Sequence, residues 1–161
     1  MKLEVTHEYD CSSAEFYRLF TSKGFHKKKF AACGARKIKV LEESRSDDGF
    51  SITVDREMPA EVPGVLKSLV GEWNRVKQTE NWEDLGDGEY SCELIFEPEG
   101  VPIEVSGTMN VMPDGDACVN QIEMTFICRI PLVGKKLAAF AAEDAENTLD
   151  AEFDYISAQL D

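Results

Sequence analysis

Histidine is nearly absent from this chain: His7 and His26 are the only two among 161 residues. They fall in different stretches, and no cysteine pair at ligand spacing accompanies them, so a zinc site is not expected. A Rieske-type iron–sulfur centre needs two Cys and two His at short spacing, and that pattern is missing. Cysteine occurs five times, as Cys11, Cys33, Cys92, Cys118 and Cys128. The number is odd and no CxxC occurs, so these read as reduced thiols packed as small hydrophobes in a cytoplasmic protein. No apolar run is long enough to span a bilayer. No apolar segment follows a basic stretch at the N-terminus, so no signal peptide is expected. There is no GxGxxG, and Gly134-Lys135 lacks the upstream glycine of a P-loop. A GxSxG nucleophile elbow is also missing. DGDACVNQIE begins with acidic spacing but departs from the EF-hand loop after it, and reads as a hairpin turn. No metal, no cofactor and no catalytic residue are assigned on these grounds.

Basic charge is scarce as well. Seventeen Lys and Arg face 31 Asp and Glu, for a formal net charge of −14. A nucleic-acid partner is not expected, because phosphate binding needs a basic surface. Stable association with an anionic membrane is disfavoured for the same reason. Nothing in the sequence sets an oligomeric state.

What is present is alternation. KLEVTHEYD places Leu3, Val5, His7 and Tyr9 on one face of a half-buried strand. Ser12 and Glu15 then have the spacing of a capping box, which predicts a short helix. A second helical stretch runs through FHKKKFAACGA, with Gly34 as its stop. From residue 36 onward, alternating runs are separated by DDG, GDG, PEG and PDGD, which are hairpin signals. Six strands are predicted here, making seven in all. MPAEVPGVLKSLVGEW interrupts them, and Val65, Leu66, Leu69 and Val70 suit a short helix within it. After Pro131 a single long helix is predicted from about Leu132 to Leu160, about 42 Å long at the helical rise.

A six-stranded antiparallel meander needs a cover on its apolar face, and the terminal helix alone has the length for it. The predicted class is therefore α+β: a seven-stranded curved antiparallel sheet around a long C-terminal helix, with two short helices after the first strand. A curved sheet gripping one helix leaves a gap, and the gap is a natural pocket. Alternation turns Arg56 and Glu80 toward it, together with Trp82, Phe96, Met109, Met124 and Phe126. Gly107 interrupts the inner face of its strand and suits a bend or bulge.

On the terminal helix, 100° steps put Leu137, Phe140, Ala141, Ala145 and Leu149 in one sector. Asp144, Thr148 and Glu152 sit in the middle of that sector. Either this polar stripe lines a wet cavity and meets a ligand, or it is solvated at the cavity mouth, or the helix is turned away from the expected wheel. Arg56 and Glu80 suit a cross-strand ion pair or ligand recognition. His7 and Tyr9 suit either hydrogen-bonded core positions or polar points in the pocket. His26-Lys27-Lys28-Lys29 reads as a solvated helix face, with an anion clamp at the cavity entrance as the alternative.

The element order, with REMPAEVPGVLKSLVG, VKQTENW, VSGTMNV and IPLVGKKL, resembles the START-like, birch-pollen-allergen-like superfamily, also called SRPBCC. Within it the chain resembles an uncharacterised family common in actinobacteria. The resemblance covers nearly all of residues 1–161 and implies a single helix-grip domain with an internal cavity for an apolar ligand. It carries no catalytic motif onto any residue here. The expected function is soluble binding of an apolar or lipid-like small molecule between sheet and helix. Its expected contacts are His7, Tyr9, Arg56, Glu80, Trp82, Phe96, Met109, Met124, Phe126, Phe140, Asp144 and Thr148. Two alternatives stand beside it. One is an enzyme of the polyketide-cyclase kind, using His7 with Tyr9 or a protonated Asp144. The other is a protein-interaction module whose cavity is filled by its own side chains.

Overall fold

The computed structural model describes residues 1–60, 62, 64 and 67–160. Strand β1 (Lys2–Tyr9) buries His7 and Tyr9 on one face. Ser12 caps helix α1 (Ser13–Phe20), its Oγ accepting the Glu15 N–H at 3.2 Å. Helix α2 (Phe25–Ala32) follows. The meander comprises β2 (Arg36–Ser46), β3 (Gly49–Pro59), β4 (Trp73–Gly86), β5 (Glu89–Pro98), β6 (Ile103–Asp114) and β7 (Ala117–Cys128). A four-residue helix, α3 (Lys67–Val70), lies between β3 and β4. Of the short apolar helix expected there, Leu69 and Val70 fall in α3, while Val65 and Leu66 lie outside the described residues.

Helix α4 spans Gly134–Leu160, starting two residues later than the pattern predicts. The reason is local. Leu132 takes a left-handed backbone, φ 73°, with its side chain fully exposed. Gly134 then passes so close to β7 that a Cβ would lie 2.6 Å from the Cys128 carbonyl oxygen. The chain turns over the end of β7 before it can wind.

All seven strands form one antiparallel sheet in the order β1-β7-β6-β5-β4-β3-β2. The strands face as alternation predicts, burying Ile52, Val54 and Arg56 on β3, Glu80 and Trp82 on β4, and Met124 and Phe126 on β7. Gly107 marks no bulge: its strand keeps continuous register with β5 and β7 on either side of it. Glycine is needed there for closeness, since a Cβ would collide with the Glu123 carbonyl oxygen.

Two different things cover the inner face of the sheet. Over one end, α1 and α2 bring Phe16, Phe20, Phe25 and Phe30, all buried. Phe16 stacks on Phe20 at 4.4 Å, and Phe20 meets the Trp82 ring at 5.5 Å. That end is solid aromatic core. Over the other end runs α4, which packs closely on β7, β1 and α2. Its sheet-facing side is rich in alanine: Ala138 and Ala142 are buried, and Ala141 and Ala145 half-buried. Small side chains on this helix do not fill the space above β3 to β6, and a hollow remains.

Candidate cavity between sheet and terminal helix

The hollow has a volume of about 170 Å³. Leu94, Phe96, Val105, Met109, Met124 and Phe126 form its sheet wall. Leu137, Phe140, Ala141, Asp144, Ala145, Thr148, Leu149 and Glu152 form its roof. The helix wheel is therefore correct, and the polar stripe faces the cavity. Thr148 directs its hydroxyl hydrogen back along the helix, donating to the Asp144 carbonyl at 3.0 Å.

The inner end of the cavity is polar and buried. Arg56, on β3, is 5% exposed. It stacks over the Phe30 ring at 3.9 Å and donates through Nη2 to Gln78 Oε1 at 2.8 Å. Gln78 Nε2 in turn donates to Glu80 Oε2 at 2.9 Å, and Trp82 Nε1 donates to Glu80 Oε1 at 2.9 Å. Arg56 and Glu80 thus do not form the expected direct pair. Register sets Arg56 opposite Val76 and Glu80 opposite Ile52, so Gln78 relays between them.

The basic run on α2 departs most from expectation. Lys27 and Lys28 are exposed, but Lys29 is 2% exposed. Its ammonium lies over the Phe30 ring at 4.6 Å and the Phe20 ring at 5.2 Å, and 3.7 Å from Glu152 Oε1. His26 is buried too, donating from Nε2 to the Phe20 carbonyl at 2.9 Å. The run is therefore not a solvated face. Phe25, His26, Lys29 and Phe30 lie at one-turn spacing, and that face packs inward. This spacing was the available signal for the two polar residues that residue-by-residue reading missed.

These groups set each other's charge. Burial pushes the His26 imidazole down to about 4, against the raising influence of Glu80, so the ring is neutral at pH 7. Burial pulls the Glu80 carboxyl upward, but His26, Lys29, Trp82 and Arg56 together outweigh it and its pKa falls. Desolvation lowers the Arg56 guanidinium to about 10, opposed by Glu152 and Glu80. Glu80 and Arg56 both stay ionised at neutral pH.

Arg56, Glu80, Phe96, Met109, Met124, Phe126, Phe140, Asp144 and Thr148 are brought together around this cavity. Lys29, Gln78 and Glu152 join them. His7, Tyr9 and Trp82 do not. Phe153 of α4 covers the first two, 4.8 Å from the His7 ring and 5.2 Å from that of Tyr9. Trp82 lies under Tyr17 and Phe20. The face was read correctly for all three, but other side chains occupy the space above them. The acid–base pair His7–Tyr9 considered for a cyclase is thus away from the cavity.

Outward, the cavity shares Pro59, Ala60, Phe140 and Asp144 with an open groove that Val62, Lys67, Glu72, Glu143 and Asn147 complete. No helix among the described residues is long and apolar enough to cross a membrane. No His, Cys, Asp and Glu cluster among them is arranged to hold a metal ion.

No curated protein matches the chain significantly in sequence. Solved structures do match in shape. A Thermus thermophilus protein superposes with a TM-score of 0.63 at 14% identity, over 99% of both chains. A START superfamily protein from Mycobacterium smegmatis reaches 0.58 at 12% identity, again over 99% of both. Norcoclaurine synthase from Thalictrum flavum, in complex with dopamine and hydroxybenzaldehyde, reaches 0.54 at 18% identity, over 97% of this chain and 86% of its own. Such likenesses establish the helix-grip fold, which this chain shares with those proteins. Residues 4–160 match the family described as protein of unknown function (DUF2505), and the chain belongs to that family.

Proposed function

We propose that this protein binds an apolar small molecule in the cavity between the sheet and α4. The observation that carries the reading is the hollow itself, about 170 Å³ with Leu94, Phe96, Met109, Met124 and Phe126 in its wall. Apolar walls with a few convergent polar groups are the usual construction of a ligand site. An apolar cavity on the order of 150 Å³ accepts benzene, so the bound part of the guest is of that size unless the walls yield. Three methionines in the lining, Met58, Met109 and Met124, give the walls some freedom to do so. The filled-cavity alternative is disfavoured by the same hollow. Norcoclaurine synthase, similar in fold, holds two small aromatic molecules, which is compatible with this reading.

The setting we propose is cytoplasmic and away from nucleic acid and membrane surfaces. The five cysteines are free thiols, and the net charge of −14 opposes polyanionic partners. Native mass spectrometry of freshly purified protein, alongside thermal melting with benzene and indole, tests the binding reading. Expected are a co-purified mass lost on denaturation, or a rise in melting temperature with either probe. A clean apo mass with no shift from either probe would overturn it.

A further inference from the structure

The inner end of the cavity specifies more than an apolar guest. Arg56 is nine-tenths buried, lines the cavity, and uses only Nη2 in a hydrogen bond. Its Nε and Nη1 have no partner among the described residues. Buried guanidinium donors are rarely left without an acceptor, and these belong to a group at the cavity wall. The charges around them decide what kind of acceptor fits. Two cations, Lys29 and Arg56, already face two carboxylates, Glu80 and Glu152, that balance them. An anionic guest would add another negative charge in a poorly screened space. An uncharged oxygen supplies the acceptor without that repulsion.

We propose that the guest is an apolar molecule bearing one uncharged carbonyl oxygen, as in a ketone, aldehyde, ester or amide, and that this oxygen is seated on the free donors of Arg56. The inference rests on the reading that the cavity holds a small apolar molecule. The hydrocarbon part lies between the Met109, Met124 and Phe126 wall and the alanine face of α4. Arg56 acts as the positioning group, itself held by Phe30 and Gln78.

Three probes of nearly the same shape separate the possibilities: cumene, acetophenone and benzoate, titrated into the whole protein near neutral pH. Acetophenone is expected to bind about tenfold more tightly than cumene, the ratio of one hydrogen bond to a charged donor, and more tightly than benzoate. Its carbonyl stretch is expected to move to lower wavenumber on binding. Arg56→Met, which keeps the apolar stem of the side chain and removes the guanidinium donors, should bring acetophenone and cumene to equal affinity. If that variant fails to fold, the probe order and the infrared shift in the unaltered protein decide by themselves. Equal binding of acetophenone and cumene with an unshifted carbonyl would overturn the inference and leave the cavity reading standing. Tightest binding by benzoate would overturn the uncharged acceptor. Binding of none of the three would sink the cavity reading itself.

Discussion

The ammonium of Lys29 lies 3.7 Å from Glu152 Oε1, tying α2 to α4 across the inner end of the cavity. Breaking such a pair from one side leaves a charge in the core, which typically costs about 3 kcal/mol or more. Glu152→Gln should therefore destabilise strongly, because it leaves the fully buried Lys29 ammonium without its carboxylate, and Lys29→Met less, because the Glu152 left behind keeps some contact with water (14% of its side chain is exposed). The double variant should be more stable than the two single losses predict, by about 1 kcal/mol. Urea unfolding of all four proteins checks this, and simple additivity would contradict the pairing.

His26 makes stability depend on pH. In the unfolded chain its imidazole titrates near 6.5, and in the fold burial lowers it to about 4. As pH falls the unfolded state takes up the proton first. The contribution is thus complete above 6.5 and is lost between there and about 4, with a ceiling of about 3 kcal/mol. His7 is shifted in the same direction by burial, with Asp150 opposing, so some acid sensitivity stays without His26. His26→Gln keeps an N–H for the Phe20 carbonyl and does not titrate. Its unfolding free energy should fall less between pH 7 and pH 5 than that of the parent, and equal slopes would refute the assignment.

Gly107 is a contact requirement in the middle of the sheet. Gly107→Ala drives a methyl group into the Glu123 carbonyl oxygen and against Met124. Backbone on the far side cannot step aside cheaply, and a loss of about 2 kcal/mol or more is expected. Gly115→Ala meets nothing within 4 Å and suffers only from its φ of 61°, at about 1 kcal/mol. Melting temperatures should rank the two in that order.

Ala145 faces the hollow from α4. Ala145→Leu should fill part of it at no cost in helix propensity beyond a few tenths of a kcal/mol. The variant should melt at or above the parent temperature and lose the stabilisation that benzene or acetophenone confers. Undiminished probe binding would place the guest elsewhere.

Element order was legible because the signals are local. Alternation from Lys2 to Tyr9, the Ser12–Glu15 cap and the Gly-containing turns each act within a few residues. Inward direction was legible for the same reason, even for charged Arg56 and Glu80. Occupancy was not. His7, Tyr9 and Trp82 point inward as alternation demands, yet Phe153, Tyr17 and Phe20, distant in sequence, fill the space above them. Lys29 was hidden by its neighbours, since a run of three lysines looks solvated until the packing of Phe25 and Phe30 turns one inward.

The order of elements and the side of each strand that turns from water follow from the chain alone, because backbone periods of 2 and 3.6 residues are set within each segment. The hollow is decided only when the alanine-rich face of α4 docks over the concave sheet. So too is the Gln78 relay between Arg56 and Glu80, because strand register and helix docking are relations between segments that no local pattern encodes.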